Sequence, residues 1–144
     1  PSHVAVGGDA ASKRDLFAVV AVMFEASGGI ARAAIVDALT AREKLGSTGL
    51  GQGIAIPHGR IRGLKDARGA FVRLAQPISF DAPDGRPVSQ VFVLLVPEQA
   101  TERHLELLSE LAQMFSERGF RERLAAAPDA AAAWSAIRDW APVA

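Results

Sequence analysis

The sequence predicts an α/β protein: one mixed sheet of about five strands, flanked by helices on both faces, in a single domain spanning residues 1–144. A continuous apolar run, Val91-Phe92-Val93-Leu94-Leu95-Val96, has the pattern of a strand buried on both faces. Two segments of helical periodicity precede it and two or three follow it, so helices are available to cover such a sheet. With 144 residues, 49% hydrophobic and 22% charged, the chain has the size and balance of one packed core.

The elements follow in order. Gly7-Gly8 reads as a turn, and Ser12, three residues before Asp15, caps an amphipathic helix of about 15 residues through Leu16, Phe17, Val19, Val20 and Met23. Ser27-Gly28-Gly29 ends it. A second helix is expected over 31–44, with Ile35, Ala38 and Leu39 on one stripe; Arg42, seven residues after Ile35, falls on the same stripe and turns a guanidinium inward, where it calls for an anion. Four glycines within residues 46–53 predict a shaped loop. Residues 54–56 make a short strand stopped by Pro57, 70–74 a second strand, and 76–87 a turn-rich stretch whose clearest hairpin signal is Asp84-Gly85. The central strand over 88–96 stops at Pro97. Thr101 then caps a helix through Ser116, with His104, Leu108, Leu111 and Phe115 on one face and Glu102, Glu106 and Glu110 on a solvated one. A short helix over 120–126 and a last one over 129–140, anchored by Trp134 and Ile137, complete the chain.

Composition narrows the chemistry. Sixteen basic and sixteen acidic residues leave no net field to hold nucleic acid or anionic lipid, and the longest apolar run is far below the roughly 20 residues that span a bilayer. Nucleic-acid binding and direct membrane insertion are therefore not expected. No cysteine occurs, which removes disulfides and thiolate chemistry, and no export signal is visible, so a cytoplasmic location is expected. The chain begins Pro-Ser-His without Met, which leaves room for an upstream segment. Histidine is the scarce resource: His3 in a loose terminus reads as passive, leaving His58 and His104.

The glycine loop is not a nucleotide cradle. Gly46 and Gly51 have Walker A spacing, but Gln52-Gly53 stand where lysine and a hydroxyl belong; Gly49-x-Gly51 lacks the third glycine of a dinucleotide fingerprint. The loop is either a connector or a nest of N–H groups for an anion. His58 follows directly, with Pro57 fixing its entry and Gly59 removing bulk, and Arg60 and Arg62 just beyond; it is either a structural histidine or an imidazole standing clear at a strand end. His104, near a helix N-terminus, tends to stay neutral and is either a core histidine or part of a site. A metal site lacks ligand spacing, and acyl transfer lacks its Gly-x-Ser-x-Gly elbow. Two neutral histidines, an inward arginine and a glycine nest together point to phosphoryl transfer through phosphohistidine, where a neutral imidazole attacks and fixed donors hold the equatorial oxygens.

The run Arg42-Glu43-Lys44-Leu45-Gly46-Ser47-Thr48-Gly49-Leu50-Gly51-Gln52-Gly53-Ile54-Ala55-Ile56-Pro57-His58-Gly59 resembles the signature of the enzyme IIA domains of the bacterial phosphotransferase system, fructose and mannitol class, and most of all their nitrogen-regulatory branch. Pro77 to Asp81, the strand at 91–97, His104-Leu105 and Leu108-Ser109 continue the pattern, so the resemblance covers about residues 12–137. It implies a five-stranded mixed sheet, and His58 as the residue phosphorylated at Nε2 by a phosphohistidine HPr-like (NPr-type) carrier. It also implies His104 and Arg42 as stabilisers of the phosphoryl group, with no cofactor or metal. Ser47, Thr48 and Gly49 are candidate phosphate-loop contacts, and Arg60 and Arg62 candidates for the partner-binding rim. Gln52 departs from the Asn or His usual at its position. No IIB or membrane IIC domain fits within the 144 residues, which favours a stand-alone regulator whose phosphorylation state is read by target proteins. A free IIA subunit feeding a separate IIB for sugar uptake is the alternative, and a non-phosphorylated binding module the alternative of another class.

Overall fold

The computed structural model describes the backbone of residues 4–8, 10, 12–28, 31–64, 67–80, 84–98 and 102–138, and side-chain surroundings over most of these, excepting 4–8, 27–28, 102–105 and 138. The elements are β1 (Val4–Gly8), α1 (Lys13–Gly28), α2 (Arg32–Lys44), β2 (Gly49–Gly51), β3 (Ile54–Ala55), β4 (His58–Ile61), β5 (Arg68–Ile78), β6 (Val88–Pro97), α3 (Glu102–Ser116), α4 (Arg118–Ala126) and α5 (Ala130–Arg138).

The described strands form one mixed sheet of six in the order β1-β5-β6-β3-β2, with β4 paired to β6. β6 is its axis, as the apolar run predicts. One side of it pairs antiparallel with β5, and the other pairs parallel with β3 at Gln90 and Val91 and then with β4 from Leu94 to Pro97. Residues 91 and 93–96 are all buried, so both faces of this strand are covered.

α1 and α2 cover one face through Leu16, Phe17, Val20, Phe24, Ile35 and Leu39, packed on Val72, Val91, Val93 and Leu95. α3, α4 and α5 cover the other, where Phe115 stacks on Phe71 at 6.3 Å between ring centres and meets Phe120 edge-on at 5.4 Å. Each fully buried phenylalanine contributes about 1.5–3 kcal/mol, so the ring cluster is a principal clamp of α3 and α4 onto the sheet.

Local signals explain most boundaries. The Asp15 N–H donates to Ser12 Oγ at 3.2 Å, the expected cap of α1, and Ala132 N–H donates to Asp129 Oδ1 at 2.9 Å to open α5. α1 buries Leu16, Phe17, Val20, Ala21 and Phe24, leaving Val19 and Met23 half-buried, so its inner face is rotated slightly from the expected stripe. Thr101 as the cap of α3 and Trp140 at the chain end lie outside the described residues.

Four expectations change. Gly7-Gly8 is not a turn but the end of β1, which runs parallel to β5; pairing with Phe71 to Leu74 outweighs the glycines' poor strand propensity. The stretch 76–78 belongs to β5, which Pro77 can join because it lies where the register with β6 is interrupted between Arg73 and Ile78. Within the glycine loop, 49–51 pair with β3 as a two-residue hairpin whose turn residues Gln52 and Gly53 have φ of 58° and 79°. A hairpin turn thus forms here as well as in the expected connection, where Asp84-Gly85 lies between the antiparallel β5 and β6 and Gly85 has φ of 69°; at Gln52-Gly53, positive φ at both central residues matches the twist of the flanking strands. Asp84 also accepts the Gln52 N–H at 2.8 Å and holds this second turn from outside. Finally, the chain beyond Pro57 resumes as β4, so the sheet has six described strands rather than about five. Proline lacks the N–H that would continue the ladder, and Leu94 N–H reaches Pro57 O at 3.0 Å across the break.

Candidate functional site

The break at Pro57 creates the site. Ile56 lies outside the ladder, and its carbonyl accepts from His58 Nδ1 at 3.0 Å. With the proton on Nδ1, the lone pair is on Nε2, and that nitrogen accepts the Arg42 Nε–H at 3.1 Å. Arg42 is anchored by a second bond, Nη1–H to Gly46 O at 2.9 Å, which ties the last turn of α2 to the start of the loop. Burial pushes the His58 pKa below its ordinary 6.5, and the Arg42 charge pushes the same way; the Ile56 carbonyl and the Glu43 carboxylate oppose them without reversing the direction. The imidazole is therefore neutral at pH 7 with a defined tautomer and one available nitrogen.

Close approach of α2 sets this geometry. A Cβ on Gly59 would stand 3.0 Å from Ala38 Cβ and 3.1 Å from the Ala38 carbonyl carbon. Glycine after His58 is thus required less to free the imidazole, as expected, than to let α2 lie on β4 with Arg42 one turn beyond Ala38.

Arg42, Ser47, Thr48, Gly49 and His58, five of the residues singled out from sequence, line one cavity of about 180 Å³ together with Leu50, Ile56, Leu108 and Ala112. The hydroxyls of Ser47 and Thr48 are already engaged. Ser47 Oγ donates to Phe80 O and accepts the Gly49 N–H at 3.0 Å, while Thr48 Oγ1 donates to Glu43 at 2.6 Å. His104 lies in α3 one turn before Leu108, and its side chain lies outside the described residues, as does His3. Arg60 and Arg62 are exposed; Arg60, two residues along β4, shares the strand face of His58.

Sequence reasoning passed over Glu43. Its side chain is 7% exposed, and it takes Lys13 Nζ at 3.0 Å and the Thr48 N–H at 3.1 Å. The signal was available: Ile35, Leu39 and Glu43 recur at i+4, which puts an acid on the apolar stripe. Leu45 and Leu50, exposed at 85% and 46%, flank the loop as an apolar rim.

A neutral imidazole whose unprotonated nitrogen is held by a guanidinium is a nucleophile prepared for an anionic electrophile that the guanidinium can turn to meet. The class agrees: residues 1–140 match the family described as phosphoenolpyruvate-dependent sugar phosphotransferase system, EIIA 2, and the chain belongs to it. Members of this family are phosphocarriers. Within it, the chain is similar to the nitrogen regulatory proteins of Pseudomonas aeruginosa (52% identity over 105 residues, 73% of this chain and 68% of that protein) and Bradyrhizobium diazoefficiens (42% over 104 residues, 72% and 68%). The crystal structure of the nitrogen regulatory protein IIA-Ntr from Neisseria meningitidis superposes with a TM-score of 0.89 at 48% identity, covering 94% of this chain and 93% of that one. The Escherichia coli IIA mannitol structure, 21% identical with a TM-score of 0.77 over 94% and 96% of the two chains, shares the fold. No helix among the described residues is long and apolar enough to cross a membrane.

Proposed function

We propose that this protein is a phosphoryl carrier that accepts phosphate on His58 Nε2 from the phosphohistidine of an HPr-like (NPr-type) carrier, and that partner proteins read its phosphorylation state in nitrogen regulation. The single observation behind the first part is the pair of bonds on the His58 ring: Nδ1–H to Ile56 O and Arg42 Nε–H to Nε2. In the transfer an Nε2–P bond forms from the Nε2 lone pair as the donor's N–P bond breaks and its electron pair returns to the donor ring. The proton stays on Nδ1 throughout, so no general base is needed. Arg42, displaced from Nε2, turns its N–H groups to the phosphoryl oxygens while Nη1 keeps it near Gly46. The backbone at Ser47, Thr48 and Gly49 borders the space for those oxygens, and His104, carried on α3, is assigned as the second stabiliser by the family resemblance.

The regulatory part rests on the nitrogen regulatory relatives. A second reading, delivery of phosphate to a separate IIB subunit for fructose- or mannitol-type sugar uptake, draws on the 41% identity over 93 residues to a fructose-specific EIIA component of Haloferax volcanii.

Incubation with labelled phosphoenolpyruvate, enzyme I and an HPr-type carrier tests the reading. One acid-labile phosphate is expected on the wild type and none on H58A, whereas label retained by H58A would overturn the assignment. H104A is expected to accept label more slowly. A pull-down comparing the two phosphorylation states separates regulatory targets from a IIB acceptor.

A further inference from the structure

A buried carboxylate one residue from Arg42 is out of place in a site meant to receive a phosphoryl group, since like charges repel at short range. Glu43 avoids this because its oxygens are consumed. Oε1 accepts from Lys13 Nζ at 3.0 Å and from the Thr48 N–H at 3.1 Å, and Oε2 accepts from the Thr48 hydroxyl at 2.6 Å. Thr48 itself is buried, so this carboxylate is where both of its donors are satisfied. The bonds run in one direction across the fold, from Lys13 in the first turn of α1, through Glu43 in the last turn of α2, to the loop that borders His58.

We propose that Glu43 is a positioning residue for the His58 site, holding the loop at residues 47–49 against Arg42 through Thr48, with Lys13 fixing the carboxylate from behind. This rests on the phosphoryl-carrier reading. Besides the backbone bond from the Ile56 N–H to Thr48 O at 3.0 Å, side chains pin the loop at three points among the described residues. Arg42 holds Gly46 O, Glu43 holds Thr48, and Ser47 closes on Phe80 O and the Gly49 N–H. Only the middle point joins the loop to both α1 and α2. Its loss leaves Arg42 in reach of His58 but lets the wall of the cavity formed by residues 47–49 drift relative to Arg42 and His58, which matters most when the phosphoryl group must be held in line in the transition state.

The test combines E43A, E43Q and T48V with two readouts. Single-turnover phosphorylation at saturating phospho-HPr-type carrier is expected to slow by about tenfold to a hundredfold in E43A, with carrier affinity within about twofold of wild type. E43Q, which keeps one acceptor oxygen, should slow it only severalfold, and E43A combined with T48V should be no slower than E43A alone, since both act through one contact. In the unphosphorylated protein, ¹⁵N NMR should show the Thr48 and Gly49 amides of E43Q shifted and His58 titrating at lower pH than in wild type, because the carboxylate that favours imidazolium is gone. Wild-type transfer rates in folded E43A, or a loss expressed wholly as weaker carrier binding, would overturn the proposal; if E43A does not fold, additive effects of E43Q and T48V do the same. The NMR readout needs no phosphate donor: shifted amides in a protein that is never phosphorylated would sink the carrier reading while leaving the Glu43 linkage standing, and unmoved amides would sink the linkage alone.

Discussion

Replacing Gly59 by alanine tests the packing that brings Arg42 to His58. The new Cβ would lie 3.0 Å from Ala38 Cβ, 3.1 Å from the Ala38 carbonyl carbon and 3.3 Å from its oxygen, against an ordinary contact of 3.4–4 Å. Two of those atoms are helix backbone, so relief requires α2 to move away from β4 by a few tenths of an ångström. Overpacking of this kind costs about 1–3 kcal/mol, and lower unfolded-state entropy offsets roughly 0.4–1 kcal/mol of it. The expected net loss is about 1–2 kcal/mol, or a Tm lower by roughly 3–7 °C in a domain of this size. Arg42 lies one turn after Ala38 and moves with it, lengthening its 3.1 Å bond to His58 Nε2 toward about 3.5 Å, where it no longer counts as a hydrogen bond. Thermal denaturation gives the first quantity, and the ¹⁵N shift of His58 Nε2 gives the second. A38G should rescue part of the loss in the double variant, although alone it costs about 1 kcal/mol of helix stability. An unchanged Tm with an unmoved Nε2 resonance in G59A, or no coupling with A38G, would refute the reasoning.

Three further outcomes are expected. R42M removes both the Nε donor and the Gly46 anchor, so His58 should titrate at higher pH and phosphoryl acceptance should fall roughly a hundredfold; R42K should recover little, because an ammonium cannot make both planar contacts. Since the folded protein binds the His58 proton more weakly than the unfolded chain does, stability falls as pH drops from the ordinary 6.5 toward the lower native value, and H58Q should show a smaller loss of urea stability over that interval. Gln52 has φ of 58° at the β2–β3 turn, where Asn is better tolerated, so Q52N should gain roughly 0.5 kcal/mol, readable as a Tm higher by about 2 °C.

Elements with strong local codes were readable without the fold. The Ser12 cap, the α2 stripe of Ile35 and Leu39 and the apolar β6 run each carry their own period or punctuation, and each appears close to where it was expected. β1, β2 and β4 carry no such period: Gly7-Gly8 and Gly49-Leu50-Gly51 read as turns until a neighbouring strand supplies the ladder. For β1 and β4 that pairing is a contact between distant residues, and nothing local encodes it.

The sequence by itself determined the fold class, the family signature around His58 and five of the residues that line its cavity, because these rest on composition, periodicity and a contiguous motif. Tertiary structure alone decided how they meet. The Pro57 break frees the Ile56 carbonyl to fix the imidazole proton on Nδ1, the close seat of α2 on Gly59 brings Arg42 to Nε2, and the buried Glu43 joins Lys13 to Thr48 across 30 and 5 residues of chain. Hydrogen bonds need distance and direction to within fractions of an ångström, and these exist only once the helices and strands have packed.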